Sequence, residues 1–314
     1  MSNKIITIIY IILIILLIDL IVYLLISQGI LQAPKIFNIT EQKIEVKNIS
    51  DEVPQFYSNM KFNHNEITYT IENLCPEKTR QRVLDAFIEL SNLTDKIITF
   101  TQTENNPDIE VICSRENEEA ISEEYFIAGE GGAKQIISTG LYSVISNGTI
   151  YLYESKDLNK CNWPNVEIHE LLHVLGFEHS TSKESLMYPY LTSCDQKLDE
   201  KIIQVIKELY SQPNLPDLYF ENISANQKGK YLSFNTTIKN IGVVNSKLVN
   251  ISVLDNGEIV KSIELEPIPY GAGLKLNIQN LKISHLNPEK LELVIDLENK
   301  IKEIDRTNNQ VQLI

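Results

Sequence analysis

The chain has 314 residues, 43% of them hydrophobic, and 28 Lys and Arg stand against 42 Asp and Glu, a formal net charge of −14. That length allows about two folded domains plus tails. So acidic a surface repels phosphate backbones and argues against a nucleic-acid partner, and no run of like charge forms a binding tail.

The N-terminus reads "KIITIIYIILIILLIDLIVYLLIS", almost wholly apolar from Ile5 to Ile26 with Asp19 as its one charge. This length suits a bilayer-spanning helix of about 20 residues, and it exceeds the ~7–15-residue apolar region of a signal peptide. A transmembrane anchor is expected over residues 1–30. Ser27 and Gly29 offer a small-x-small cleavage site, so secretion after signal removal is the alternative. Lys4 before the run favours a cytoplasmic N-terminus and an extracytoplasmic remainder. Residues 31–62, broken by "APK" and "DEVPQF", read as a stalk or pro-segment.

An α+β domain is expected over 63–212. "EITYTI" (Glu66–Ile71) alternates Ile67, Tyr69 and Ile71 on one face, as a strand does. Pro76 suits the first position of a helix whose Val83, Phe87 and Leu90 recur at i, i+4 and i+7. "KIITFTQT" and "DIEVIC" read as strands, "AGEGGAK" as a Gly-rich loop, and "LYSVISNGTIYLYE" as a hairpin turning at Asn147–Gly148. A last helix carries Leu198, Ile202, Ile206 and Leu209 on one stripe. The four cysteines, Cys75, Cys113, Cys161 and Cys194, all fall in this domain and none is in a Cys-x-x-Cys pair. In an exported chain they imply two disulfides; spacing alone leaves all three connectivities open.

The Pro-punctuated "SQPNLPDL" (Ser211–Leu218) marks the domain boundary. Over 213–314 several period-two segments alternate with turn signals, among them Asn256–Gly257, and no helix is indicated. This pattern predicts a β-sandwich.

Three of the five histidines, His169, His173 and His179, crowd into "IHELLHVLGFEH". Positions i and i+4 share a helix face, so His169 and His173 can present both imidazoles to one ion. Glu170, beside the first ligand, is placed to hold a water bound there and take its proton. On a continuing helix His179 would lie about 9 Å further along. Gly176 resolves this, because it can take positive φ and fold the chain back. Three neutral nitrogens with one open position make a catalytic zinc site.

His169-Glu170-x-x-His173-x-x-Gly176-x-x-His179 followed by Met187 resembles the metzincin metallopeptidases. Ser180 and "SLMYP", with the upstream order "ITYTI", helix, "IITFTQ", "PDIEVIC", resemble the matrixin branch. The resemblance implies a zincin-like α+β fold, one catalytic zinc, Met187 in a turn beneath it, and a peptide substrate lying along an edge strand, "LYSVIS" or the segment before it. It also places Cys161 next to Cys194 and Cys75 next to Cys113. Three departures stand out. No cysteine in 31–62 supplies a latency thiol, His64 is the one further histidine of the domain, and Pro189 stands where a tyrosine ligand occurs in astacin-like enzymes. Calcium is possible, but nothing in the sequence supports it. "LPDLYFENISA", "IKNIGVVNS" and "EIDRTNNQV" resemble CARDB, an Ig-like surface domain, in which His285 stands alone. The expected function is a zinc-dependent endopeptidase at the cell surface acting on extracellular proteins. The alternative is a surface adhesion protein that binds zinc without cleaving, which would have no reason to keep Glu170.

Overall fold

The computed structural model describes residues 2–27, 35–37, 39, 49, 53–114, 127–153 and 161–313. Gly29 of the alternative cleavage site and much of the expected stalk lie outside them. Ser2–Ser27 forms helix α1, whose described side chains begin at Tyr10 and whose apolar ones from Tyr10 to Leu24 are exposed. Among the described residues no helix is long and apolar enough to cross a membrane, so the expected transmembrane helix gains no support from them. The described side chains of α1, which begin at Tyr10, cover only part of the run from Ile5 to Ile26 on which that expectation rests.

The chain divides into two compact units, one of Glu45–Pro216 with Ile241–Val244, the other of Met1–Ile44, Asp217–Asn240 and Asn245–Ile314. In the first, strands β2 (Met60–Phe62), β3 (Glu66–Ile71), β4 (Thr99–Gln102), β5 (Ile109–Ser114), β6 (Gly129–Ser138) and β7 (Ser143–Tyr153) form one sheet. Its order is β2-β7-β5-β3-β4, with β6 paired to β7. Every pairing is parallel except β6 with β7. A parallel pair needs a crossover, and α2 (Glu77–Leu93) supplies it between β3 and β4. Its buried face is Thr79, Arg82, Val83, Ala86, Phe87 and Leu90. The helix stops where Thr94 Oγ1 donates to the Leu90 carbonyl and Asp95 and Lys96 take positive φ.

Two sequence expectations are corrected here. The "AGEGGAK" segment is the start of strand β6, not a loop, and "LYSVISNGTIYLY" holds one continuous strand, β7, with no hairpin at Asn147–Gly148. Gly148 serves close packing instead. A Cβ there would meet Val174 Cγ1 at 2.6 Å and the Gly132 carbonyl at 3.0 Å, and its N–H donates to Asp108 O. Of "LYSVIS" and the segment before it, the latter, β6, is therefore the one at an edge of the sheet; β4 is the opposite edge. The expected stalk is also corrected: Met60–Phe62 pairs with β7, and β1 (Lys35–Ile36) pairs with a strand of the second unit. Met60 and Phe62 are buried, which a free stalk could not achieve.

Helices α3 (Asn165–Val174) and α4 (Glu200–Ser211) complete the first unit. Ile168, Leu171, Leu172 and Val174 of α3 are fully buried, each worth about 1.5–3 kcal/mol of apolar burial. The second unit holds two four-stranded sheets. One is β1 with β8 (Leu218–Lys228), β9 (Tyr231–Asn240) and β12 (Gly273–Lys282); the other is β10 (Val249–Asp255), β11 (Glu258–Leu265), β13 (Leu291–Ile295) and β14 (Gln310–Gln312). Asn256 and Gly257, at φ 51° and 86°, turn β10 into β11, as a type I′ hairpin requires. One apolar cluster takes side chains from both sheets, the expected sandwich. His285 Nδ1 lies 3.0 Å from Asp255 Oδ1, a pairing within this unit.

Candidate active site

Helix α3 is held by its N-terminal half. Arg82 of α2 makes a two-pronged ion pair with Glu167, Nε to Oε1 at 2.8 Å and Nη2 to Oε2 at 3.0 Å. The same guanidinium donates to the carbonyls of Cys161 at 2.7 Å and Trp163 at 3.1 Å. The segment entering the helix is thus fixed to α2 by a buried charge pair. The next turn of α3 presents His169 and His173.

The helix ends in a complete Schellman cap. Gly176 N–H donates to His173 O and Phe177 N–H to Leu172 O, both at 3.0 Å. Gly176 sits at φ +97°, and a Cβ there would strike Met60 Cγ and Sδ at 2.6 Å. Both constraints require glycine. The reversal brings His179 back to the helix face. The Nε2 atoms of His173 and His169 are 3.0 Å apart, those of His173 and His179 3.1 Å, and those of His169 and His179 3.3 Å.

The other ring nitrogens define the tautomers. His169 Nδ1 lies 2.7 Å from Leu186 O, and His173 Nδ1 lies 2.8 Å from Phe177 O. A carbonyl can only accept, so each Nδ1 carries the proton and each Nε2 offers a bare lone pair. Lone pairs this close repel unless a cation lies among them. Tetrahedral zinc with Zn–N bonds of about 2.0–2.1 Å sets its nitrogens about 3.3–3.4 Å apart, within a few tenths of an ångström of the spacings here, so the donor set fits zinc. Among the described residues this is the one cluster of three such side chains placed to hold a metal. His179 is exposed while His173 is buried, so one side of the cluster faces solvent. Burial pulls His169 and His173 each down to about 4, and lowers His179 as well. All three are neutral donors at neutral pH.

Met187 is fully buried, and the turn around it steadies two ligands. Leu186 O accepts from His169, and Met187 O accepts from Ser180 N–H at 2.8 Å, next to His179. The turn is itself held by Ser185 Oγ, which accepts from Met187 N–H and donates to Asp199 at 2.6 Å. Cys161 and Cys194 are disulfide-bonded across a separation of 33 residues that contains every ligand, and Cys75 is bonded to Cys113. By chain entropy the first bridge contributes about 3–4 kcal/mol.

Glu170 lies against edge strand β6. Burial pushes its carboxyl up to about 8, a Gly131 backbone N–H pulls it back, and Glu130 and Glu167 raise it further. A divalent ion beside it would lower it again. A Cβ on Gly131 would overlap the Glu170 backbone carbonyl, and one on Gly129 would meet Glu170 Cγ at 2.8 Å. The Gly-rich segment is what lets the edge strand approach Glu170. Sequence reasoning missed this, and it missed Arg82. The available signal was that Arg82 falls inside the apolar stripe of α2, between Thr79 and Ala86. His64 stays apart from the cluster, with Nε2 2.9 Å from Asp108.

Comparison with known proteins agrees with this geometry. Residues 61–211 match the peptidase family model described as Matrixin, and residues 215–312 match that of CARDB. Interstitial collagenase of Oryctolagus cuniculus is 30% identical over 166 residues, 50% of this chain and 34% of the collagenase. Matrix metalloproteinase-16 of Homo sapiens is 26% identical over 175 residues, 49% of this chain and 28% of the relative. Karilysin of Tannerella forsythia is 42% identical over 48 residues, 15% of this chain and 10% of karilysin. The chain thus spans about a third or less of the length of these curated relatives. It joins a region that matches the Matrixin model to one that matches the CARDB model.

Proposed function

We propose that this chain, with its matrixin region followed by a CARDB region, is a zinc-dependent endopeptidase acting on extracellular proteins. The observation that carries the reading is the convergence of three Nε2 atoms within 3.3 Å of one another, two of them bare by their Nδ1 bonds, with buried Glu170 next in the chain to His169. His169, His173 and His179 would hold the ion. When bound, zinc supplies Lewis acidity toward a water and toward the scissile carbonyl. The chain's own residues do the rest. Glu170 accepts the proton of the attacking water and returns it to the leaving amine. Gly131 N–H orients the Glu170 carboxylate. Strand β6 offers an edge along which an extended peptide can add as a further strand.

The domain reading is a catalytic domain over 63–212 and a CARDB domain over 213–314, the latter a surface spacer or binding module. Anchoring through the N-terminal apolar run, with the catalytic domain outside the cytoplasm, is the finer part of the proposal. It is supported by the run from Ile5 to Ile26 and by the exposed apolar side chains of α1.

The test is hydrolysis of a generic protein substrate by the full chain, with and without a zinc chelator, beside the Glu170→Gln variant. The chelator should abolish cleavage. Glu170→Gln should keep its metal yet lose about 10²–10⁴-fold in turnover. Cleavage that survives both would refute the reading. A protein that binds zinc and cleaves nothing would favour the adhesion alternative.

A further inference from the structure

The turn Gly176–Glu178 joins two ligands, and beyond the helix cap its backbone pairs with residues 54–56. Gly176 O accepts from Phe56 N–H at 3.0 Å, Glu178 N–H donates to Pro54 O at 3.0 Å, and Gln55 bridges antiparallel to Phe177. Phe177 O is the acceptor that orients His173. The Phe56 ring lies 5.9 Å, centroid to centroid, from the His173 ring. The segment is itself tied down. Val53 is buried, Gln55 Nε2 donates to Met60 O at 3.0 Å, and Met60 N–H donates to Gln55 Oε1 at 3.2 Å. The Met60 side chain fills the space that a Gly176 Cβ would need. The turn is therefore gripped by a short stretch that precedes the matrixin-matched region, which begins at residue 61.

We propose that residues 53–56 form a strap that positions His173 and His179 through the Gly176–Glu178 turn, so that zinc retention depends on a segment outside the matched catalytic region. This rests on the zinc reading above. It follows that the strap is not a removable pro-segment, and that any maturation cut compatible with metal binding falls before Val53.

The experiment uses the full chain loaded with zinc and mixed with an excess of a colorimetric chelator, and reads the rate of metal release. Phe56→Pro removes the N–H that Gly176 O accepts; the loss of one such bond corresponds to up to roughly tenfold, and release should accelerate by about that factor. Phe56→Ala keeps the N–H but loses the ring, and Gln55→Ala frees the strap from Met60. Each should accelerate release by about threefold, and either one replaces the proline variant if that does not fold. Phe56→Tyr keeps both features and should release at the wild-type rate. A merely structural role would lower the melting midpoint of metal-free and zinc-loaded protein equally, whereas the strap role shrinks the increment that zinc adds. If wild type holds zinc and the strap variants release it at the wild-type rate, the strap is overturned and the zinc reading stands. If wild type holds no zinc, both fall.

Discussion

In the matrixin-matched unit two of the clustered histidines commit one ring nitrogen to the backbone and leave the other free. His169 and His173 give Nδ1 to carbonyls and point Nε2 at each other. In the sandwich the buried polar side chains are spent on tying the chain together. Asn308 Nδ2 donates to Asp217 at 2.7 Å and Asn309 Nδ2 to Glu303 at 2.6 Å, while Glu303 also accepts Leu218 N–H at 2.7 Å. Arg306 bridges Asp296 and Glu303. Both units bury charge, yet among the described residues only the first brings three metal-ligating side chains to a common point. Burial of polar groups alone does not mark a site. Convergence of uncommitted lone pairs, each held from behind, does.

The comparison is tested most severely at its two arginines. Arg82 and Glu167 are almost wholly shielded, with side-chain exposures of 9% and 1%, whereas Arg306 is 31% exposed. Removing one partner of a buried pair strands the other, so Arg82→Ala should cost about 3–5 kcal/mol. Arg306→Ala, whose site can admit water, should cost about 1.5–3 kcal/mol. Chemical denaturation of the full chain, with a separate probe for each unit, measures both. Equal losses would show that the two networks are alike.

A smaller effect separates the units by pH. Burial pushes the Asp217 carboxyl up to about 7, with Glu303 and Asp305 adding to the rise against the Asn308 bond. A carboxyl raised in the folded state favours folding when protonated, so its contribution is full below about 4 and lost as pH climbs to 7. In the metal-free protein burial pulls His169 and His173 down to about 4, so their contribution is present above about 6.5 and lost as pH falls toward 4. Acidification from pH 7 to 4 should therefore relieve the sandwich at Asp217 while the histidine pair weakens the matrixin unit. Asp217→Asn should flatten the sandwich's part of the profile, as read from its melting midpoint across that range. An unchanged slope would remove Asp217 as the cause.

Much of this was legible in the sequence, for identifiable reasons. The i, i+4 spacing of His169 and His173 and the placement of Gly176 encode the metal geometry in local terms, because a helix face and a helix stop are local facts. The sandwich was legible from period two and from Asn256–Gly257. Asn147–Gly148 misled because the same dipeptide serves two physical ends. At 256–257 it takes positive φ, while at 148 the glycine makes room for Val174. The strap and the Arg82–Glu167 pair were not legible, since their partners lie 85 residues apart for the ion pair and further apart still in sequence for Gln55 and Phe177. No local pattern announces a contact of that range.

The most direct test of the central claim is metal content. Elemental analysis of the purified full chain should give about one zinc per chain. The same measurement on His173→Ala should give close to none, with Glu170→Gln retaining the wild-type value. Unchanged zinc in His173→Ala would contradict the assignment of the three histidines as the metal site.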